Sequence, residues 1–225
     1  MPISSHKGEI IMTRFIIVRH GESIGNLDGR FYGHTNGGLT DRGRLQAERA
    51  AVYLADTRID AAYASDLIRA YETGRIVAAP HGLTPTPDKN LREICAGEWE
   101  NQPFDELPVR YPEAYGVWMT DIGNSRPTGG ESVREMAERV RTELWRIASA
   151  HEGETVLIAT HSTPIRALEC GWRGLPIEEM QNIRWVMNCS VSVADYDTAA
   201  HTVSLVTMGE AGFLEGIATA LPTNV

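Results

Sequence analysis

Apolar positions along this chain alternate between two patterns. Short β-branched runs end in polar turns, and amphipathic helical stripes follow them. Phe15-Ile16-Ile17-Val18 is the first run and stops at Arg19-His20-Gly21-Glu22-Ser23, which reads as a buried strand ending in a tight turn. Residues 24–39, rich in Gly and Asn, read as a surface loop. Thr40 reads as the N-cap of a helix running to about Ala55, with Ala47, Ala51 and Leu54 as its inner stripe. Ile59 to Ala64 predicts a second strand, and Ser65 the cap of a helix carrying Asp66, Leu67, Arg69, Ala70, Tyr71 and Thr73. Pro80 to Pro87 reads as a loop and edge strand.

Residues 101–128 hold prolines and the aromatics Phe104, Tyr111, Tyr115 and Trp118, and read as a short helical insertion that caps a crevice, with the aromatics packing it down in preference to Trp118 or Tyr115 facing a substrate. Ser132-Val133-Arg134-Glu135 is a capping box. It opens a helix to about Ala150 with Val133, Met136, Val140, Leu144 and Ile147 on one face. Thr155 to Thr160 is a second strongly apolar strand and also ends in a histidine, His161, after which Thr163 reads as N-cap and Pro164 as the first helical residue. Val186 to Tyr196 and Thr202 to Met208 read as a late hairpin or edge strands, and the stretch from Gly209 as a tail. Alternating strands and helices predict an α/β fold. Neighbouring parallel strands then bring His20 and His161 to one crevice beyond the strand ends.

Length and composition narrow this picture. The 225 residues suit one domain, 13–208, with a cap inserted at about 101–128 and a tail over 209–225. No apolar stretch approaches the ~20 residues of a membrane span. Residues 1–12 are polar and read as disordered; without an apolar core they do not form an export signal. Cys95, Cys170 and Cys189 fall in no C-x-x-C pairing, the pattern of reduced thiols in a cytoplasmic protein rather than of disulfides or a zinc site. A formal net charge of -9 argues against nucleic acid as partner. Any anion pocket must therefore gather positive charge locally.

Candidate chemistry sits at the strand ends. A neutral imidazole such as His20 is a competent nucleophile toward phosphorus, and the guanidinium of Arg19 matches phosphoryl oxygens. Ser23 and Asn26 either donate to a phosphate or serve as turn formers facing water. Arg69 lies in a first helical turn, against the helix dipole, which makes sense where an anion shares the site; the alternative is a solvated arginine. Glu93, Glu98 and Glu100 lie close together around Trp99. A loop carboxylate in such a partly apolar setting suits a general acid, and spacing does not decide among the three.

Four separated stretches, Arg19-His20-Gly21-Glu22-Ser23, Ser65-Asp66-Leu67 to Thr73, Leu91-Arg92-Glu93, and His161 with its helix, carry a resemblance. From about Arg14 to Met208 the chain resembles the histidine phosphatase superfamily in its branch 1, phosphoglycerate mutase-like form. The resemblance implies a three-layer α/β/α sandwich with a mostly parallel central sheet and a small helical cap. It implies His20 as phosphorylated nucleophile, Arg19, Arg69 and His161 as phosphate pocket, Glu93 as general acid and Asn26 as a further phosphate contact. Thr160-His161-Ser162-Thr163 departs from the Ser-His-Gly-Gly usual in the family; Ser162 keeps a backbone donor there and narrows the pocket. Asn101 stands where a Gly is common.

The expected function is a metal-independent phosphatase that hydrolyses small-molecule phosphomonoesters through a phosphohistidine. No cofactor and no metal are expected, and neither nucleic acid nor membrane as partner. A monomer or homodimer is expected. In this scheme Arg19, Arg69 and a protonated His161 keep His20 unprotonated. A phosphoglycerate mutase is the first alternative. It is disfavoured by residues 101–128, where only Arg110 and Arg126 stand against Asp105, Glu106, Glu113 and Asp121. A non-catalytic phosphate-binding protein is the second, and a thiol enzyme centred on Cys95 the last.

Overall fold

The computed structural model describes residues 11–220. Strand β1 (Thr13–Arg19) leads through helix α1 (Ile24–Leu27) and strand β2 (Arg30–Phe31) to α2 (Asp41–Leu54). β3 (Ala61–Ser65), α3 (Ile68–Ala78) and β4 (Thr86–Asp88) follow. β5 (Gln102–Pro103), α4 (Leu107–Arg110) and α5 (Pro112–Thr120) come next, before the long helix α6 (Val133–Ala150). β6 (Thr155–Thr160), α7 (Ser162–Trp172), β7 (Val191–Asp197) and β8 (Thr202–Glu210) complete the order.

The sheet has six strands in the order β4-β3-β6-β1-β7-β8. β4, β3, β6 and β1 are mutually parallel, while β7 and β8 are antiparallel additions at one side. The unbroken apolar run of β1 is explained by what covers it. Phe15 and Ile17 pack with Met136, Val140 and Leu144 of α6 and Ile165 of α7. Ile16 and Val18, facing the other way, pack with Ala50 and Leu54 of α2 and Val77 of α3. A strand between two helical layers must be apolar on both faces. Each such side chain contributes roughly 1.5–3 kcal/mol by leaving water. The result is a three-layer α/β/α sandwich.

Register then positions the histidines. Arg19 pairs with Thr160 across β1 and β6, so the residues that follow, His20 and His161, emerge side by side at the carboxyl ends of the strands. The His20 N–H donates to the Thr160 carbonyl at 2.9 Å. Gly21 is required by close approach rather than by dihedral freedom: a β-carbon there would collide with the carbonyl oxygen of Gly43 in the first turn of α2. Its N–H donates to Thr73 Oγ1 at 3.0 Å.

Several expectations are corrected. Ser65 ends β3 and does not cap α3; Leu67 occupies the N-cap position without a side-chain cap, and the Leu67 N–H donates to Ser65 Oγ at 3.3 Å. Helix α7 starts directly after β6, with His161 at its N-cap, so Thr163 and Pro164 lie inside the first turn, where proline has no hydrogen bond to lose. Within the loop 24–39, Ser23 and Asn26 form a capping box on α1, and β2 pairs with β5. Residues 186–190 precede β7 and belong to no strand. The stretch from Gly209 is not a free tail: Leu214 is buried, Gln46 Nε2 donates to the Ile217 carbonyl at 2.9 Å and Thr219 Oγ1 donates to Glu22 at 2.8 Å. These bonds strap the segment to α2 and to the turn after β1. Residues 1–10 of the expected disordered segment and 221–225 of the expected tail lie outside the described residues. Among the described residues no helix is long and apolar enough to cross a membrane.

Candidate active site

The turn after β1 and the start of α7 meet in one cleft, open to solvent. Arg19, His20, Ser23, Asn26, Arg69, Glu93, Ser162 and Thr163 all line it. The imidazoles of His20 and His161 stand 5.1 Å apart between ring centroids, at 61°. His20 Nδ1 lies 2.7 Å from the Gly21 carbonyl. A carbonyl only accepts, so Nδ1 carries the proton and Nε2 keeps its lone pair. His161 is wholly buried and stands behind the cleft wall, its Nε2 2.8 Å from Ser65 Oγ.

Two guanidiniums supply the local positive charge that an acidic chain needs. Arg19 is 5% exposed and Arg69 2%. Arg69 is aimed by the loop, donating to the carbonyls of Thr35 at 2.9 Å and Gly33 at 2.7 Å. Arg19 donates Nη1 to the Val186 carbonyl. Burial lowers both guanidiniums to about 10, and the carboxylate of Glu93 opposes that fall. Both therefore stay charged at neutral pH. Among the described residues, Arg19 Nε and His161 Nδ1 are buried polar atoms with no protein partner. Such groups cost free energy unless something binds them, and an anion is the natural partner of the first.

The same burial holds both imidazoles neutral. His20 is pushed well below 6.5 by burial, then by Arg69 and Arg19. His161 is pushed down by burial, then by Arg69 and His20. The expectation of a protonated His161 is thus corrected: a ring sealed beside two guanidiniums and a second imidazole does not hold a proton.

Placement decides among the three carboxylates. Glu93 is the carboxylate lining the cleft. Its oxygens accept from the Ile94 N–H at 2.9 Å and the Thr163 N–H at 3.3 Å, with Ser162 Oγ at 3.5 Å. Glu100 is spent on the loop, accepting from the N–H groups of His34, Thr35 and Ala96. Glu98 is exposed. Asn26 Oδ1 accepts from the N–H and hydroxyl of Ser23 and from Asn188 Nδ2, and Asn26 lines the cleft. Cys95 does not line the cleft, and burial pushes the Cys189 thiol far up, so no thiol is poised for attack there. Among the described residues no group of three or more His, Cys, Asp or Glu is placed to hold a metal ion.

A family profile described as histidine phosphatase superfamily (branch 1) matches residues 15–208. The chain belongs to that superfamily. Membership makes it a phosphatase or phosphotransferase. Among curated histidine phosphatase relatives, phosphoglycerate mutase-like protein 4 of Arabidopsis thaliana is 35% identical over 82% of this chain and 80% of its own length. Phosphoserine phosphatase 1 of Hydrogenobacter thermophilus is 30% identical over 79% of this chain and 82% of its own. Among solved structures, Bacillus stearothermophilus YhfR superposes with a TM-score of 0.86 at 29% identity, covering 90% of this chain and 100% of that one.

Sequence reasoning missed several residues of this histidine phosphatase cleft. Asn188 Nδ2 donates to the His20 carbonyl at 3.0 Å and to Asn26, tying nucleophile turn to loop. Cys189, at φ 55, donates its N–H to the Arg19 and His20 carbonyls. Arg30, Tyr32 and Trp185 line the cleft. Asn188 lies 168 positions from His20, and no local pattern signals such a contact.

Proposed function

We propose that the protein is a metal-independent phosphatase that hydrolyses small phosphomonoesters through a phosphohistidine. One observation carries this reading: a neutral imidazole with a free Nε2 faces the same cleft as two buried, charged guanidiniums and one carboxylate. Phosphoryl transfer asks chiefly for positioning and for compensation of charge on the oxygens. Arg19 and Arg69 compensate that charge, with the Asn26 amide and the N-terminus of α7 beside them; His161, neutral and behind the cleft wall, backs the His20 ring at 5.1 Å. His20 Nε2 attacks phosphorus in line with the leaving oxygen. Glu93, protonated, gives its proton to the departing alkoxide. As carboxylate it then takes a proton from the water that cleaves the phosphoramidate bond of phosphohistidine.

The name of the Arabidopsis relative favours a second reading, phosphoglycerate mutase. That reaction needs cations to retain a bisphosphate. Of the two arginines in 101–128, Arg110 pairs with Gln102 and Glu106, and Arg126 pairs with Glu135 at 2.8 Å. Neither is free for a second phosphate, which supports hydrolysis. The test is product analysis in the presence of a chelator. Release of inorganic phosphate and an acid-labile, alkali-stable phosphoenzyme are expected; conversion of 3- to 2-phosphoglycerate without release would overturn hydrolysis in favour of the mutase.

A pH prediction follows from the imidazoles. Activity requires His20 neutral, and its folded value lies well below 6.5. The acid limb of kcat/KM is therefore expected below 6.5, not at it; a limb at or above that value refutes the assignment. Folding stability has the same sign. The unfolded chain takes up protons near 6.5 that the folded rings refuse, so stability is full above that pH and declines below it. Thermal melts across the range check this.

A further inference from the structure

Beyond the groups that would hold a phosphoryl group, the cleft changes character. The rest of its wall is built from the rings of Phe31, Tyr32, Phe104, Trp118 and Trp185, with Arg30 as the further cation. Arg30 Nη1 is engaged with the Asn101 carbonyl at 2.7 Å. We infer that this wall receives a flat, apolar leaving group, so that the substrates are phosphate monoesters of aryl-bearing or similarly ringed alcohols rather than of small polyanionic ones. The inference rests on the phosphatase reading above and specifies its substrate class.

Phe31 and Trp118 belong to the hydrophobic core, and Phe104 and Trp185 pack against it, so these rings are held in place. Tyr32 is seated over Gly25 and Gly37: a β-carbon on Gly25 would lie 2.5 Å from the ring, and one on Gly37 would strike it as well. Gly25 and Gly37 thus make room for an aromatic ring beside the site. Phe31 anchors the next part, with Phe104 at 5.6 Å and Trp118 edge-on at 5.2 Å between ring centroids. Trp185 is backed by the guanidinium of Arg166, 4.3 Å from the ring centroid. Arg166 is itself fixed by bonds to the carbonyls of Ile183 at 2.6 Å and Gln181 at 3.1 Å, so its charge is spent behind the tryptophan and outside the cleft lining. Rings held rigidly in this way lose little freedom when a ligand ring packs on them. A carboxylate or second phosphate on the leaving group would instead lose water against the rings of this wall, where Arg30, held by the Asn101 carbonyl, is the one further cation lining the cleft among the described residues.

The experiment compares 2-phenylethyl phosphate with ethyl phosphate on the purified protein. Both leaving groups are primary alkoxides of similar basicity, so the bond-breaking chemistry is matched and the ratio of kcat/KM reports binding of the ring. That ratio is expected to be roughly tenfold or more, and 3-phosphoglycerate is expected to be a poorer substrate than the phenylethyl ester. A ratio near one, or a preference for 3-phosphoglycerate, overturns the inference while phosphate release leaves the phosphatase reading standing. No phosphate release from any ester overturns both. Trp185→Ala is expected to cut the ratio at least about threefold and Trp185→Phe to restore most of it; an unchanged ratio in Trp185→Ala counts against the inference. Competitive inhibition of the unmodified protein by benzylphosphonate and methylphosphonate gives the same ratio without any variant, and equal inhibition by the two refutes it.

Discussion

His20→Ala is expected to abolish phosphoryl labelling of the protein and to lower kcat/KM by about four orders of magnitude or more, the scale of losing a covalent nucleophile. The size of the effect follows from how completely the structure commits to this one atom. Hydrogen bonding to the Gly21 carbonyl puts the proton on Nδ1. Burial and two guanidiniums hold the ring neutral. No substitute stands ready: the Ser23 hydroxyl donates to Asn26, and burial disfavours the Cys189 thiolate. Acid-sensitive label trapped from a radiolabelled ester, with a thermal melt to show that the variant folds, measures this. Label retained by His20→Ala would sink the covalent mechanism.

Glu93→Gln is expected to give the second largest loss, and one that depends on the leaving group. For an alkyl phosphate such as ethyl phosphate the departing alkoxide needs a proton, and kcat/KM should fall about 10²- to 10⁴-fold. For p-nitrophenyl phosphate the phenolate leaves without one, and the fall should be tenfold at most. Glutamine keeps the size of the side chain and an acceptor for the Ile94 N–H, so the contrast between esters reports proton transfer rather than packing. Equal losses on both esters would show that Glu93 positions and does not protonate.

Much of this protein is legible locally. The run Phe15 to Val18 is apolar on consecutive residues because helices cover both faces of β1, and no exposed strand has that pattern. The box Ser132 to Glu135 caps α6, since the capping bonds run between residues only three positions apart, Ser132 and Glu135. The termini at His20 and His161 are legible for the same reason: each is the polar residue at which an apolar strand stops. Even their meeting was inferable, because two parallel strands with equal endings place those endings together. Other features are contacts between distant residues, and no window along the chain contains them.

The sequence by itself thus determined the α/β class, the strand and helix order around the cleft and the meeting of the two strand-end histidines, because periodicity is a property of adjacent residues. Arg69 entered only through the family resemblance, since its own stretch fits a solvated arginine equally. Only the tertiary structure decided that Glu93 rather than Glu98 or Glu100 faces the cleft, that His161 is neutral, that Asn188 braces His20, and that the residues after Gly209 fold back onto α2. Those outcomes depend on burial and on which backbone groups remain unpaired once the layers have packed, and packing is a property of the whole chain.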